Sequence, residues 1–234
     1  MDVGNGMEAD SGSWTFDIPS SEAFNIHISK SVPSYLASHD IIIDISEYFV
    51  NDHSKIVDVG CSLGLLLNKL AIKHEHKRGI TYTGLEKSPV MAENAKSNVH
   101  PGVHIKNLDA LDYDYSSVSY AVLHYVLQFL TYQDRIKLCE KIYMGLNEVA
   151  AIIVFEKVRS HDPEIYDMLL SCYDEFKSRS GFSSEQIISK RQTLRGVLKP
   201  LTTEENMSFL KQIGFRSVTL IQKHLLFEGY LAIK

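Results

Sequence analysis

Lys55-Ile56-Val57-Asp58-Val59-Gly60-Cys61-Ser62-Leu63-Gly64 is the stretch that decides the fold of this chain. Its first five residues are a short apolar run bounded by turn formers, the pattern of a buried strand. Gly60 and Gly64 then let the backbone turn sharply and allow a ligand to approach closely. A helix is expected over about 64–73. Ligands of open α/β sheets sit beyond the carboxyl ends of the strands, so this loop is the first candidate site.

The same alternation continues outward. Tyr82-Thr83-Gly84-Leu85-Glu86 reads as a second strand, and Ser88-Pro89 as the cap and first residue of a helix reaching about Asn98. Further strands are expected over 103–106, 119–123 and 150–156, with a helix over 131–146. Strands alternating with helices predict a mostly parallel sheet with right-handed crossovers. A helix over 204–213 ends at Gly214. The runs 216–223 and 227–233 close the sheet as a pair, adding an antiparallel edge strand and bringing it to seven strands. The fold class is therefore α/β and Rossmann-like. Residues 162–190 read as a helical insertion after the fifth strand, a candidate lid or partner surface.

Residues 22–50 read as helical, with an apolar stripe through Ile41, Ile42, Ile45, Phe49 and Val50. Ser31-Val32-Pro33-Ser34-Tyr35 interrupts it, because proline disfavours helix in the residue before it. Residues 1–20 are expected to be a flexible leader, since their start is polar, acidic and rich in Gly and Ser. A single domain follows over 21–234.

The net charge is −5, unlike the basic footprint of a nucleic-acid binder, so no direct nucleic-acid contact is expected. No apolar run approaches the roughly 20 residues of a membrane span, and no signal peptide is apparent, so the expected location is the cytoplasm. Cys61, Cys139 and Cys172 lie far apart with no CxxC spacing, which points to reduced thiols. The histidines form no HxxxH pair set against a carboxylate, so no metal is expected.

Many enzymes that bind S-adenosylmethionine (SAM) carry acidic–x–Gly–x–Gly–x–Gly after their first strand. Here the run is Asp58-Val59-Gly60-Cys61-Ser62-Leu63-Gly64, with serine in the middle. Glu86, ending the second strand, is placed to accept both ribose hydroxyls. Asp109, after the third, is placed to accept from the adenine amino group, and Asp112 and Asp114 compete for that role. Gly60-x-Ser62-x-Gly64 also matches the nucleophile elbow of α/β hydrolases, with His224 as a possible partner. The strand count and Glu86 fit a SAM enzyme better.

The fourth strand continues as Val122-Leu123-His124-Tyr125-Val126-Leu127-Gln128-Phe129-Leu130. Taken with Ser31-Val32-Pro33-Ser34-Tyr35, the Gly60 loop, Lys141-Ile142-Tyr143, Glu156-Lys157, Ser189-Lys190-Arg191 and Gly214-Phe215, the chain resembles the carboxy-SAM synthase family from about residue 24 onward. The resemblance implies a homodimeric enzyme with a class I methyltransferase fold. It would convert SAM and prephenate to carboxy-SAM and phenylpyruvate, the product serving a separate enzyme that modifies the wobble uridine of tRNA. It also implies a cofactor site of Tyr35, Gly60, Cys61, Ser62, Glu86, Lys87, Asp109 and Ala110. Arg191 would hold the added carboxylate, which a guanidinium fork suits bidentately. Asp58, Gly64 and His124 join that site from the loop and strand pattern.

The family usually has Asp where this chain has Glu86, and Asn where it has His124. A cationic imidazole beside a sulfonium is unfavourable, so His124 is expected to be neutral if it faces the cofactor. As a general base it would instead suit a methyltransferase acting on a small acidic molecule. A SAM-binding subunit without turnover is the third reading. The aromatics Tyr125, Phe129, Tyr166, Tyr173 and Phe176 are either a dry wall around the reaction or ordinary core.

Overall fold

The computed structural model describes residues 1–4, 7–8, 10–12 and 21–234. In chain order the elements are β1 (Asp2–Gly4), β2 (Met7–Glu8), α1 (Ser21–Ser31), α2 (Tyr35–Ser46), β3 (Lys55–Val59), α3 (Leu65–Lys73), β4 (Thr81–Glu86), α4 (Pro89–Lys96), β5 (Val103–Asn107), β6 (Val118–His124), α5 (Tyr132–Gly145), β7 (Leu146–Lys157), α6 (Pro163–Arg179), α7 (Ser184–Thr193), α8 (Thr203–Ile213), β8 (Ser217–His224) and β9 (Phe227–Ile233).

β3 is buried on both faces, as expected of a central parallel strand. Ile56 packs with Leu67 and Leu70 of α3 and Ile42 of α2. Val57 and Val59 point the other way, toward Leu138 and Ile142 of α5 and Phe209 of α8. The alternation of side chains along one strand thus builds two cores, one under each helical layer. The sheet runs β5-β4-β3-β6-β7-β9-β8, and β3 pairs in parallel with both β4 and β6.

The antiparallel C-terminal strand is present, but it is not the edge. β9 lies between β7 and β8 and runs against both. The reason is burial. Phe227, Glu228, Gly229, Tyr230 and Ala232 of β9 are buried, while β8 is exposed or half-buried along its length. The two-residue turn at Leu225 and Leu226 reverses the chain and tucks β9 inward. β7 also starts earlier than expected: Leu146 pairs with Val118 before an irregular stretch, and the regular ladder begins at Tyr120 and Ala151.

The insertion after β7 is two helices. α7 opens with a capping box in which Ser183 and Gln186 satisfy each other's backbone amides. Within the leader expected over 1–20, residues 2–4 form β1. Val3 is fully buried, Phe182 packs on Gly4, and Gln186 Nε2 donates to Asp2 Oδ2 at 2.9 Å. Residues 5–6, 9 and 13–20 of that leader lie outside the described residues. Among the described residues no helix is long and apolar enough to cross a membrane.

Candidate active site

The loop after β3 takes left-handed backbone at Gly60, Ser62 and Gly64, with φ of 65°, 52° and 72°. A Cβ on Gly60 would stand 2.8 Å from Val126 Cγ2, so close packing as well as φ requires glycine there. Ser62 adopts the same conformation with a side chain, at a cost of roughly 1–2 kcal/mol. A charge-assisted bond offsets that cost: the Ser62 N–H donates to Glu86 Oε2 at 3.0 Å. The Ser88 N–H donates to Glu86 Oε1 at 2.8 Å, and the Ser88 hydroxyl caps α4. Glu86 therefore ties together the two loops that follow β3 and β4.

These loops open onto a cavity of about 320 Å³ across the carboxyl ends of the sheet. Its two acids, Asp58 and Glu86, stand at the β3–β4 end. Asp58 is buried, and its Oδ1 has no hydrogen-bond partner. Burial, and then the neighbouring Glu86 carboxylate, push its carboxyl up to about 8. An orphaned buried carboxyl oxygen beside a second carboxylate fits an amino group such as that of SAM's methionine portion.

His124 ends β6 at the middle of the cavity, half-buried. Its Nε2 lies 2.8 Å from Ser38 Oγ. The Ser38 hydroxyl donates its single proton to the Tyr35 carbonyl at 2.6 Å, so Nε2 must be the donor to Ser38, leaving the Nδ1 lone pair open. Burial, and then His39, hold His124 well below the usual imidazole range, so it is neutral at pH 7. That is the state expected beside a sulfonium. His39 stands 5.1 Å from His124 ring to ring, with neither ring nitrogen hydrogen-bonded, and burial lowers it to about 4. Tyr35 closes the group, 4.8 Å from His39 and 5.0 Å from His124.

The structure brings Tyr35, Asp58, Gly60, Cys61, Ser62, Glu86, Lys87 and His124 together around the cavity. It does not bring Gly64, Asp109, Ala110 or Arg191 into the lining. Asp109 accepts from Leu111 N–H at 3.0 Å, capping a short turn, and pairs with Lys87 at 2.8 Å just outside. Arg191 pairs with Asp174 of α6 instead. Of the expected aromatic wall, Tyr125, Phe129 and Tyr173 line the cavity, while Tyr166 and Phe176 pack against the core. Phe227 supplies a further ring.

Sequence reasoning missed His39, Lys157 and Lys190 as lining residues. His39 follows Tyr35 by one helical turn, a spacing that puts both on one face. Lys157 ends a parallel strand at the carboxyl edge, where ligands bind.

A family described as Methyltransferase domain matches residues 56–148. The chain is similar to the carboxy-S-adenosyl-L-methionine synthase of Staphylococcus epidermidis, 33% identical over 94% of this chain and 97% of that one. It is 32% identical to the enzyme of the same name from Nautilia profundicola, over 94% of each chain. Among solved structures, the plantazolicin methyltransferase BpumL, in complex with a triazolic desmethylPZN analog and SAH, superposes with a TM-score of 0.66. It shares 13% identity over 92% of each chain, a likeness of fold alone.

Proposed function

From the premise that this chain belongs to the carboxy-SAM synthase family and is a SAM-dependent transferase using SAM or carboxy-SAM, we propose that it converts SAM and prephenate to carboxy-SAM and phenylpyruvate. The observation that carries this reading is the polarised cavity. Its acids, Asp58 and Glu86, lie at the β3–β4 end, where the one lysine, Lys87, is paired with Asp109, and Lys157 and Lys190 lie on β7 and α7 with no acid beside them in the lining. A cationic cofactor with an amino group suits the first end, and a dicarboxylic acid suits the second. When bound, SAM supplies a sulfonium methyl carbon to receive the carboxyl group.

The residues of the chain have separable parts in this scheme. Glu86 holds the ribose, Asp58 the amino group, and the Gly60 loop lets the backbone approach. Neutral His124 and Tyr35 flank the sulfonium without opposing its charge. Tyr125, Tyr173 and Phe227 exclude water from the carboxyl transfer. Arg191 serves the added carboxylate by exchanging Asp174 for it, within one subunit or across a homodimer. The product then supplies wobble-uridine modification of tRNA in the cytoplasm.

The test is mass spectrometry of pure protein incubated with SAM and prephenate. A SAM species heavier by one carboxyl group, with matching phenylpyruvate, is expected. Unchanged prephenate, with SAM demonstrably bound, would overturn the reading. The His39–His124 pair favours one second reading, methyl transfer to a small acid with His124 Nδ1 as base. It requires S-adenosylhomocysteine to accumulate instead.

Asp58 gives the site a pH signature. Without cofactor the carboxyl keeps its proton up to about 8. Pairing with an ammonium favours the carboxylate, so binding at pH 7 releases a proton and affinity rises from pH 6 to 7.5. Calorimetry in buffers of different ionisation enthalpy reads the release directly. Asp58→Asn should abolish it, and a proton-neutral wild type would place the amino group elsewhere.

A further inference from the structure

Lys157 is the only residue of β7 that lines the cavity. Its backbone is fixed where the strand ends: its N–H donates to Gln128 Oε1 at 2.9 Å. Its ammonium lies 4.8 Å from the centroid of the Tyr173 ring and 5.8 Å from that of Phe227. Among the described residues, these two ring faces are its only partners. It makes no hydrogen bond and no ion pair to protein.

The nearest carboxylate does not satisfy it. Asp174 is already shared, with Lys177 Nζ at 3.3 Å from one oxygen and Arg191 on the other. Lys177 also stands 4.4 Å over the same Tyr173 ring. Among the described residues no acid lines this end of the cavity, and Lys190 adds a second ammonium-bearing side chain to its wall. A half-buried ammonium that faces a cavity with no hydrogen-bonding partner from the protein is placed to meet an anionic ligand there.

We propose that Lys157, supported by Lys190, is the anchoring subsite for a carboxylate of the second substrate, with the apolar body of that acid lying against Tyr125, Tyr173 and Phe227. The naming of that acid as prephenate rests on the function proposed above; the subsite itself rests on the geometry. Register fixes where it lies. His124 pairs with Phe155, so Lys157 stands one strand over and two residues further out than His124. Neighbouring strands are about 4.8 Å apart. A carboxylate on Lys157 would thus be held one strand over from His124, a span that a six-membered ring or an arene could bridge. Lys157 binds and positions the acid; it transfers no proton in this scheme.

The groups facing Lys157 are Tyr173, Asp174 and Lys177 from α6 and Arg191 from α7. Burial, and then Lys177 and Arg191, lower its ammonium to about 8, and Asp174 opposes them. A bound carboxylate reverses the direction.

The experiment is calorimetric titration of phenylpyruvate, and separately of prephenate, into protein saturated with S-adenosylhomocysteine. Wild type is compared with Lys157→Gln and Lys157→Arg. Loss of a charge-assisted bond of this kind weakens binding by about 10- to 100-fold. Lys157→Gln should show that loss while S-adenosylhomocysteine binding, the measure of an intact fold, stays unchanged. Lys157→Arg should recover most of it. Wild-type affinity for the acids should also fall as pH rises past about 8. Equal acid affinity in Lys157→Gln and wild type would overturn the subsite, as would wild type that binds neither acid. If Lys157→Gln fails to fold, a flat wild-type affinity from pH 7 to 9 overturns it, and the expected fall supports it. Lys157-dependent binding without prephenate turnover would keep the subsite and discard the proposed reaction.

Discussion

Replacing Glu86 with alanine should weaken SAM binding by about 100-fold or more. Its two oxygens receive the Ser62 and Ser88 amides, at 3.0 and 2.8 Å, and the ribose hydroxyls are to share them. The substitution removes the ribose acceptors and releases the left-handed Ser62, whose conformation the carboxylate supports. Hydrogen bonds to a charged group contribute about 1.5–3 kcal/mol each, so losing two or more exceeds two powers of ten in affinity. Calorimetric titration with SAM measures this. Glu86→Asp keeps the charge on a shorter arm, and should retain more affinity than Glu86→Gln, which keeps the shape and loses the charge. Affinity in Glu86→Ala within a few-fold of wild type would mean that the ribose is bound elsewhere.

Glu228→Ala should lower the thermal midpoint by roughly 10 °C. Glu228 has no exposed surface, yet it accepts from Thr203 Oγ1 at 2.8 Å, from Lys223 Nζ at 2.7 Å and from the Tyr230 hydroxyl. One carboxylate thereby joins β9, β8 and the start of α8. Breaking such a buried group from one side typically costs about 3–5 kcal/mol, and each kcal/mol shifts the midpoint of a domain this size by about 2–4 °C. Differential scanning fluorimetry is sufficient. A shift below about 2 °C would show that the hydroxyls and ammonium find other partners. SAM binding at 15 °C should survive, because Glu228 does not line the cavity.

The parts of the fold that depend on neighbours in sequence were legible. β3, β4, β5 and β6 fall within one residue of their expected bounds because each is a short run carrying β-branched, aromatic or aliphatic residues and bounded by turn formers. Ser88-Pro89 does open α4, and Gly214, with φ of 124°, does end α8. The parts set by distant partners were not. The inner placement of β9 depends on its burial against β7, and local pattern does not report which neighbour covers a strand. Residues 2–4 become a strand through contacts with Phe182 and Gln186, far along the chain. The same division runs through the site. The glycine loop, Asp58 and Glu86 were readable because strand ends mark them. Lys157 and His39 were hidden because an unpaired ammonium and two unpaired ring nitrogens are properties of three-dimensional surroundings. Arg191 carries the right chemistry for a carboxylate, yet Asp174 of the preceding helix, α6, holds it, a contact that depends on how the two helices pack.

The serine–histidine contact beneath His124 has two siblings. Ser34 Oγ meets His224 Nδ1 at 2.7 Å, and Ser46 Oγ meets His74 Nε2 at 2.7 Å. α2 and the residue before it are therefore riveted at three points, to β8, to β6 and to the end of α3. A beam fastened along its whole length does not swing. The cavity wall made by α2 is masonry, so any widening that admits cofactor and frees product is expected from the other lining segments, α1 and α7 among them.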